Sequence, residues 1–458
     1  MKKYLLMLAS AAMAAALLFA CQKPDGKEEE DDSNLEALVC EVPVTSNWVF
    51  ETKPEFVLQA ENPNGKTMKA EIHVEFTTDK KEAVDSYDMT VDVPANTKKD
   101  ISISSTKTFK AGFYKFTLKV NKKVIKKNTG FGVSPLDLVS APDMQSDFDS
   151  YWAGVKAQLP DITDPANVEL TEIPSKSTSA QKVYLVEMKS VPDGLTGEPV
   201  TVRGYYLEPQ GSGKYPVIMH FFGYDSTPPG KITCPSGSSN PKYAEFYLSN
   251  RGQMINARSA DKRSDGIDKD FTNTYGDWFA FQFGQGKDGW YYRGAFMDCV
   301  QAVNFMATRP SSDMKYLFGE GSSQGGAFSY AAAALSDYPF TAIAPCVAFL
   351  GDFPDYFEIV SWPGDTAKKN QGSMSDTEMF KFLSYFDTKN LATRIHAAVI
   401  ACSGLQDGTC PPHTNTAPFT NLPTEDKEMY YYPQMGHEVP ADWSTKTSNF
   451  FKARIKTQ

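Results

Sequence analysis

Six residues constrain this 458-residue chain most tightly: Gly321-Ser322-Ser323-Gln324-Gly325-Gly326. The apolar run Tyr316-Leu317-Phe318 leads into them, and an Ala-rich stretch ending at Leu335 leaves them. Strand, tight turn and helix in direct succession make a nucleophile elbow. Glycines flank the serine because such a turn brings backbone segments so close that side chains would collide. A serine at a helix start also faces oriented amides that hold negative charge. Ser323 is the candidate nucleophile, against the plainer reading of a Gly/Ser loop capping a helix.

The surroundings fit an α/β architecture. Val217-Ile218-Met219-His220-Phe221 and Ala397-Ala398-Val399-Ile400-Ala401 read as continuous apolar strands, while Gly294 to Met306 and Ala327 to Leu335 have helical composition. Asp147 to Trp152 opens an amphipathic helix reaching about Leu159. Apolar strands alternating with helices predict a mostly parallel central sheet covered on both faces. A serine hydroxyl needs a base, and the base needs a carboxylate to fix its tautomer, in the order Ser, Asp or Glu, His. The chain has five histidines, of which His396, His413 and His437 follow Ser323. His396 precedes a strand with no acid ahead of it, and His413 sits close behind the best acid, so a structural role suits it better. His437 follows the run Met429-Tyr430-Tyr431-Tyr432, and Asp407 lies in the loop after the Ala397–Ala401 strand. Ser323, Asp407 and His437 form the expected triad. The oxyanion hole is expected at the amides of Gln324 and Tyr224, the latter just past the strand that His220 ends.

Period two rules the region from Leu35 to Val139. Ile72, Val74 and Phe76 alternate with polar neighbours, as do Tyr87, Met89, Val91 and Val93, and then Tyr114, Phe116, Leu118 and Val120. Turn residues such as Asn62-Pro63-Asn64-Gly65 separate these runs. The pattern predicts a small all-β, immunoglobulin-like sandwich over 35–139, ahead of a large domain over 140–458. It carries no catalytic constellation, and His73 reads as an outward strand residue. A spacer is the favoured role, with a glycan-binding module as the rival.

Residues 1–20 read as a lipoprotein signal: Lys2 and Lys3, an Ala/Leu-rich apolar run, then Leu18-Phe19-Ala20 before Cys21, the expected lipidation site. Residues 21–34, with Lys27-Glu28-Glu29-Glu30-Asp31-Asp32, read as a solvated acidic tether. The expected address is the bacterial cell envelope, at the outer membrane and exposed at the surface, with Cys21 the only tie to the membrane. Lys+Arg 46 against Asp+Glu 56 leaves a net charge of −10, which argues against nucleic acid. The cysteines beyond Cys21 show neither scaffold nor zinc-ligand spacing, so buried free thiols and no metal are expected.

Several strings resemble the acetyl xylan esterase and cephalosporin-C deacetylase family (carbohydrate esterase family seven). They are the surroundings of Ser323, Gly404 to Pro412 (GLQDGTCPP), Tyr432-Pro433 with Met435-Gly436-His437-Glu438, and Tyr291-Tyr292-Arg293-Gly294. The resemblance covers about Ala141 to Lys456. It implies an α/β-hydrolase without metal or cofactor that removes acetyl groups from acetylated oligosaccharides through an acyl-enzyme, often as a ring-like homo-oligomer. The family carries an Arg-Gly-Gln after its second core strand. Arg251-Gly252-Gln253 follows Ala244–Asn250, a stretch that reads as helical, so Arg258-Ser259-Ala260 fits the family position better and the chain reads as a divergent member. Ile267 to Asp288, aromatic and Gly-rich, is expected to reshape the pocket mouth. Two rivals share parts of this pattern: a serine peptidase of the prolyl-oligopeptidase type, and an inactive surface glycan-binding lipoprotein.

Overall fold

The computed structural model describes residues 35–193, 197–224, 232–253, 255 and 275–456. Cys21 and the whole signal and tether lie outside them.

The N-terminal strands are β1 (Val39–Glu41), β2 (Val49–Phe50), β3 (Glu55–Asn62), β4 (Met68–Thr78), β5 (Ala83–Val93), β6 (Thr97–Ser104), β7 (Gly112–Val120) and β8 (Lys123–Val133). They form two sheets, ordered β1-β3-β6 and β2-β8-β7-β4-β5. Alternation dictates the packing: Ala70, Ile72, Val74 and Phe76 of β4 are buried, while Lys69, Glu71, His73 and Glu75 turn outward. Phe56 of one sheet stacks on Phe116 of the other at 4.2 Å, with Trp48 and Phe131 edge-on around them. Each fully buried ring contributes roughly 1.5–3 kcal/mol. His73 lies outward between Glu75 and Asp88, as its strand position requires.

The second half contains β9 (Val168–Glu172), β10 (Gln181–Pro192), β11 (Pro199–Pro209), β12 (Tyr215–Phe221), β13 (Ala244–Ser249), β14 (Ser312–Ser322), β15 (Ala342–Cys346), β16 (Ala398–Gly404) and β17 (Lys427–Tyr432). Its helices are α1 (Phe148–Lys156), α2 (Tyr291–Ala307), α3 (Gln324–Leu335), α4 (Phe353–Ile359), α5 (Gly364–Asn370), α6 (Asp376–Leu383), α7 (Thr388–Ala392), α8 (Pro412–Thr420) and α9 (Trp443–Lys452). One sheet runs β17-β16-β15-β14-β12-β13-β11-β10-β9. Neighbours from β17 through β13 are parallel, and β11, β10 and β9 extend the sheet antiparallel. From β12 the chain passes to β13 on one side and then to β14 on the other. That reversal falls at the carboxyl ends of β12 and β14, the usual place for a site in such sheets.

One sequence expectation is corrected here. Ala244–Ser249 is strand β13, not helix, and pairs parallel with β12. Its buried Ala244, Phe246 and Leu248 alternate with half-buried Glu245 and Tyr247, a period-two pattern that short length had masked. Arg251-Gly252-Gln253 therefore follows the second parallel strand and not a helix, which is where the resemblance puts the family's Arg-Gly-Gln. Arg258-Ser259-Ala260 lies outside the described residues.

The sandwich and the second half share packing. Leu405, from the loop after β16, is buried in the sandwich core, and Tyr431 packs against the same cluster. Lys80 of the β4–β5 turn meets Asp355 at 2.7 Å and Glu358 at 2.8 Å. His413, opening α8, is buried with Nδ1 2.9 Å from Asp79 of the sandwich and Nε2 2.9 Å from Asp355. Burial opposes its charge, but contacts with Asp352, Asp355 and Asp79 outweigh burial and push its pKa up to about 11. The structural reading of His413 holds, as a tie between the halves. Cys40 is half-buried, Cys234, Cys299, Cys346, Cys402 and Cys410 are buried, and all six are free thiols.

Candidate active site

The elbow turns as its glycines dictate. Ser323 sits between β14 and α3 with φ 57° and ψ −120°, a conformation that costs a non-glycine residue about 1–3 kcal/mol. The surroundings enforce it. A Cβ on Gly321 would lie 2.5 Å from the Gly325 carbonyl carbon, and one on Gly325 would lie 2.3 Å from Phe221 O. Ser323 N donates to Cys346 O at 2.9 Å, and its own carbonyl accepts from Phe349 N at 3.0 Å and Ala327 N at 3.2 Å. Side chain and backbone are thereby fixed at the end of the central strand.

His437 Nε2 lies 2.9 Å from Ser323 Oγ, and His437 Nδ1 lies 2.8 Å from Asp407 Oδ2. The proton on Nδ1 faces the carboxylate, leaving Nε2 free to accept from the serine. The Asp407 side chain is fully buried, whereas that of His437 is 25% exposed. Asp407 Oδ1 accepts from the amides of Thr409 and Cys410, each at 2.8 Å. The Asp-Gly-Thr-Cys string folds back on its own carboxylate and fixes which oxygen is left for the histidine.

Gln324 opens α3 directly after Ser323, and its side-chain oxygen accepts from Tyr292 O–H at 2.7 Å. The segment carrying Tyr224 passes beside the serine: a Cβ on Gly223 would lie 3.7 Å from Ser322 O and 3.9 Å from Ser323 Cβ. Gln324 thus follows Ser323 directly, and the segment that carries Tyr224 passes Ser323 at Gly223. The Tyr224 ring packs edge-on against Trp278 at 5.2 Å and Trp362 at 6.0 Å, and its hydroxyl bonds Asp277. Of the Ile267–Asp288 segment, 275–288 is described. Trp278, Phe279 and Phe283 are wholly buried in the main core, so this part builds the wall behind Tyr224.

The sequence did not assign a role to Arg251. Its guanidinium is buried and paired with Asp298 through Nε at 2.8 Å and Nη2 at 2.6 Å. It lies on the first turn of α2, where a Cβ on Gly294 would come within 1.9 Å of Nη1. Gly294 is glycine for that reason, and Tyr291 O–H donates to Arg251 O at 2.9 Å. Arg-Gly-Gln and Tyr-Tyr-Arg-Gly are therefore one packed unit, which through Tyr292 reaches Gln324.

His220 takes a supporting place between Glu245 at 3.0 Å and Glu320 at 2.9 Å, stacked on Tyr247. Burial works against its charge, but the two carboxylates prevail and its pKa rises to about 9. His396 is exposed at the start of its strand. Among the described residues, Asp352, Asp355 and His413 are close enough to share a cation. Those carboxylates already face Lys389 at 3.0 Å and Lys80 at 2.7 Å, which neutralise them in place.

The chain matches the family model described as acetyl xylan esterase (AXE1) over residues 138–455. It is 26% identical over 428 residues to acetyl esterase Axe7A of Xylanibacter ruminicola, covering 89% of this chain and 88% of that protein. That span exceeds the family match and so takes in part of the sandwich. Among solved structures, the acetyl xylan esterase from Paenibacillus sp. R4 is 23% identical with TM-score 0.56, covering 69% of this chain and 98% of the other. Acetyl xylan esterase 1 from Thermoanaerobacterium sp. JW/SL YS485 is 24% identical with TM-score 0.56, covering 70% and 98%. These two likenesses establish the α/β-hydrolase fold.

Proposed function

The chain belongs to the acetyl xylan esterase family and is a carboxylic ester hydrolase, and from that premise we propose that it deacetylates acetylated xylo-oligosaccharides through a Ser323–His437–Asp407 triad. The observation that carries the reading is the continuous chain Ser323 Oγ–His437 Nε2, 2.9 Å, and His437 Nδ1–Asp407 Oδ2, 2.8 Å. Ser323 Oγ attacks the acetyl carbonyl while His437 takes its proton. The resulting oxyanion is held by the amides of Gln324 and Tyr224. Collapse expels the sugar oxygen, which takes the proton from His437 and leaves acetyl-Ser323. Water, deprotonated by His437, then attacks that ester; the intermediate breaks its bond to Ser323 Oγ, which takes the proton back from His437 as acetate is released. Asp407 stays ionised throughout, keeping the imidazole oriented and stabilising its charged form.

Supporting the reading are the strained serine, its place at the end of β14 and the family's activity. The enzyme is assayed on acetylated xylo-oligosaccharides and 4-nitrophenyl acetate, wild type beside Ser323→Ala. The variant is expected to lose at least about 10⁴-fold in kcat; acetyl release that survives it sinks the assignment. The same proposal places the protein in the bacterial cell envelope through a lipid on Cys21. Incorporation of radiolabelled palmitate that disappears in Cys21→Ala tests this. A homo-oligomer, implied by the family resemblance, is tested by the solution mass from light scattering.

A further inference from the structure

Gln406 immediately precedes the acid of the proposed triad, and its carboxamide reaches across to the sandwich. Oε1 accepts from the amide of Gly130, on strand β8 of the sandwich, at 2.8 Å. Nε2 donates to the carbonyl of the same Gly130 at 3.0 Å and to Pro433 O at 2.7 Å. The Gln406 backbone amide donates to Met435 O at 3.0 Å. Pro433 and Met435 belong to the loop that delivers His437. One residue therefore joins three segments: a sandwich strand, the loop holding Asp407 and the loop holding His437.

The approach leaves no slack. A Cβ on Gly130 would sit 2.0 Å from Leu405 O, and one on Gly404 would sit 2.3 Å from Met435 O and 2.4 Å from Gly436 O. On the far side of the same loop, Leu405 is 3% exposed within the sandwich core. A carboxamide with both N–H groups and its oxygen engaged in this way fixes orientation as well as distance.

We infer that Gln406 is a positioning residue through which the N-terminal sandwich holds Asp407 against His437, so that the sandwich is a working part of the active site and not a spacer. The inference rests on the triad proposed above. A displacement of about 1 Å in catalytic geometry costs on the order of 10²-fold in rate, and here the displaced group would be the one that orients the base.

The test uses the full chain, with 4-nitrophenyl acetate as probe. Gln406→Ala lowers kcat by about 10- to 100-fold and leaves KM within about twofold, because an orienting contact acts on the chemical step and not on substrate binding. Gln406→Glu keeps the volume but turns an oxygen toward two carbonyls, and loses as much. Lys80→Ala serves as comparator. It breaks the contacts to Asp355 and Glu358 at the same junction without touching the acid loop, so it lowers the melting temperature and retains kcat. Wild-type kcat in folded Gln406→Glu, or an equal kcat loss in Lys80→Ala, overturns the inference: the first shows that the hydrogen bonds position nothing, the second that any loosening of the junction suffices. Ser323→Ala is run in parallel. Absence of Ser323-dependent turnover in the wild type removes the proposed function and the brace with it. Full Ser323-dependent turnover in both Gln406 variants removes the brace alone.

Discussion

The elbow and the acid loop are both short turns at the carboxyl ends of parallel strands, and they are held in opposite ways. The elbow is enforced from within. Gly321 and Gly325 touch each other's backbone, the β12 end presses on Gly325, and α3 starts at once. The acid loop fixes one carboxylate oxygen itself, through Thr409 and Cys410, but its outer surface is held by a residue 276 positions earlier in the chain. Strain at Ser323 can persist because nearby atoms over-determine it. Order at Asp407 depends on a second folding unit being docked. Ser323 is therefore set by contacts within its own half of the chain and Asp407 by contacts that cross to the sandwich, and the two should fail differently.

Three substitutions separate the modes. Asp407→Asn presents the wrong hydrogen-bonding pattern to His437 with little change of shape, and is expected to lower kcat by about 10⁴-fold with KM nearly unchanged, read on 4-nitrophenyl acetate. Gly325→Ala drives a methyl into Phe221 O, 2.3 Å away, and is expected to lower kcat by about 10²-fold or more. That loss should come with a displaced elbow and an intact sandwich, seen as undisturbed amide exchange protection in 39–133. Gly130→Ala pushes instead on Leu405 O from the sandwich side and is expected to reduce kcat by about 10-fold or more, a smaller effect on the same step. If Gly130→Ala loses more activity than Gly325→Ala, the acid loop is the more sensitive of the two and the contrast reverses.

The smallest effect is a pH dependence of docking. In the fold His413 faces Asp79, Asp352 and Asp355, with Lys80, Lys389 and Glu358 around them, and its pKa is about 11 against an ordinary value near 6.5. A raised folded-state pKa stabilises fully below about pH 6.5 and loses that contribution as pH rises toward 11. Asp355 is shifted the other way, chiefly by its contact with His413, so its contribution is present above about pH 4 and is lost in acid. The difference in melting temperature between wild type and His413→Gln should be widest near pH 4–6.5 and shrink toward pH 11. A difference independent of pH would show that His413 ties the halves by shape alone.

The elbow was legible because its encoding is local: three glycines, two serines and an Ala-rich helix allow few alternatives. The period-two runs gave the sandwich for the same reason. Asp407 and His437 followed from chain order and from loops at strand ends. Arg251 was missed because Ala244–Ser249 has six residues, too few for periodicity to separate strand from helix; the alternation of Phe246 and Leu248 with Glu245 and Tyr247 was the usable signal. Gln406 stood in a motif but could not be given a task. Nothing near it in sequence reveals that Gly130 arrives from the other half of the chain.

Leu405 has a consequence for how the protein is made. As the chain is synthesised from its N-terminus, β1 to β8 are complete at Val133, yet one side chain of their core is not encoded until Leu405. At ordinary rates of about 5–20 residues per second, the gap lasts on the order of tens of seconds. A sandwich folded before Leu405 arrives lacks one side chain of its core and leaves apolar surface facing water during that interval. Expressing 35–139 alone makes that interval permanent. The isolated segment is expected to be less stable and more prone to self-association than the same strands in the finished protein, which light scattering of the purified fragment would reveal.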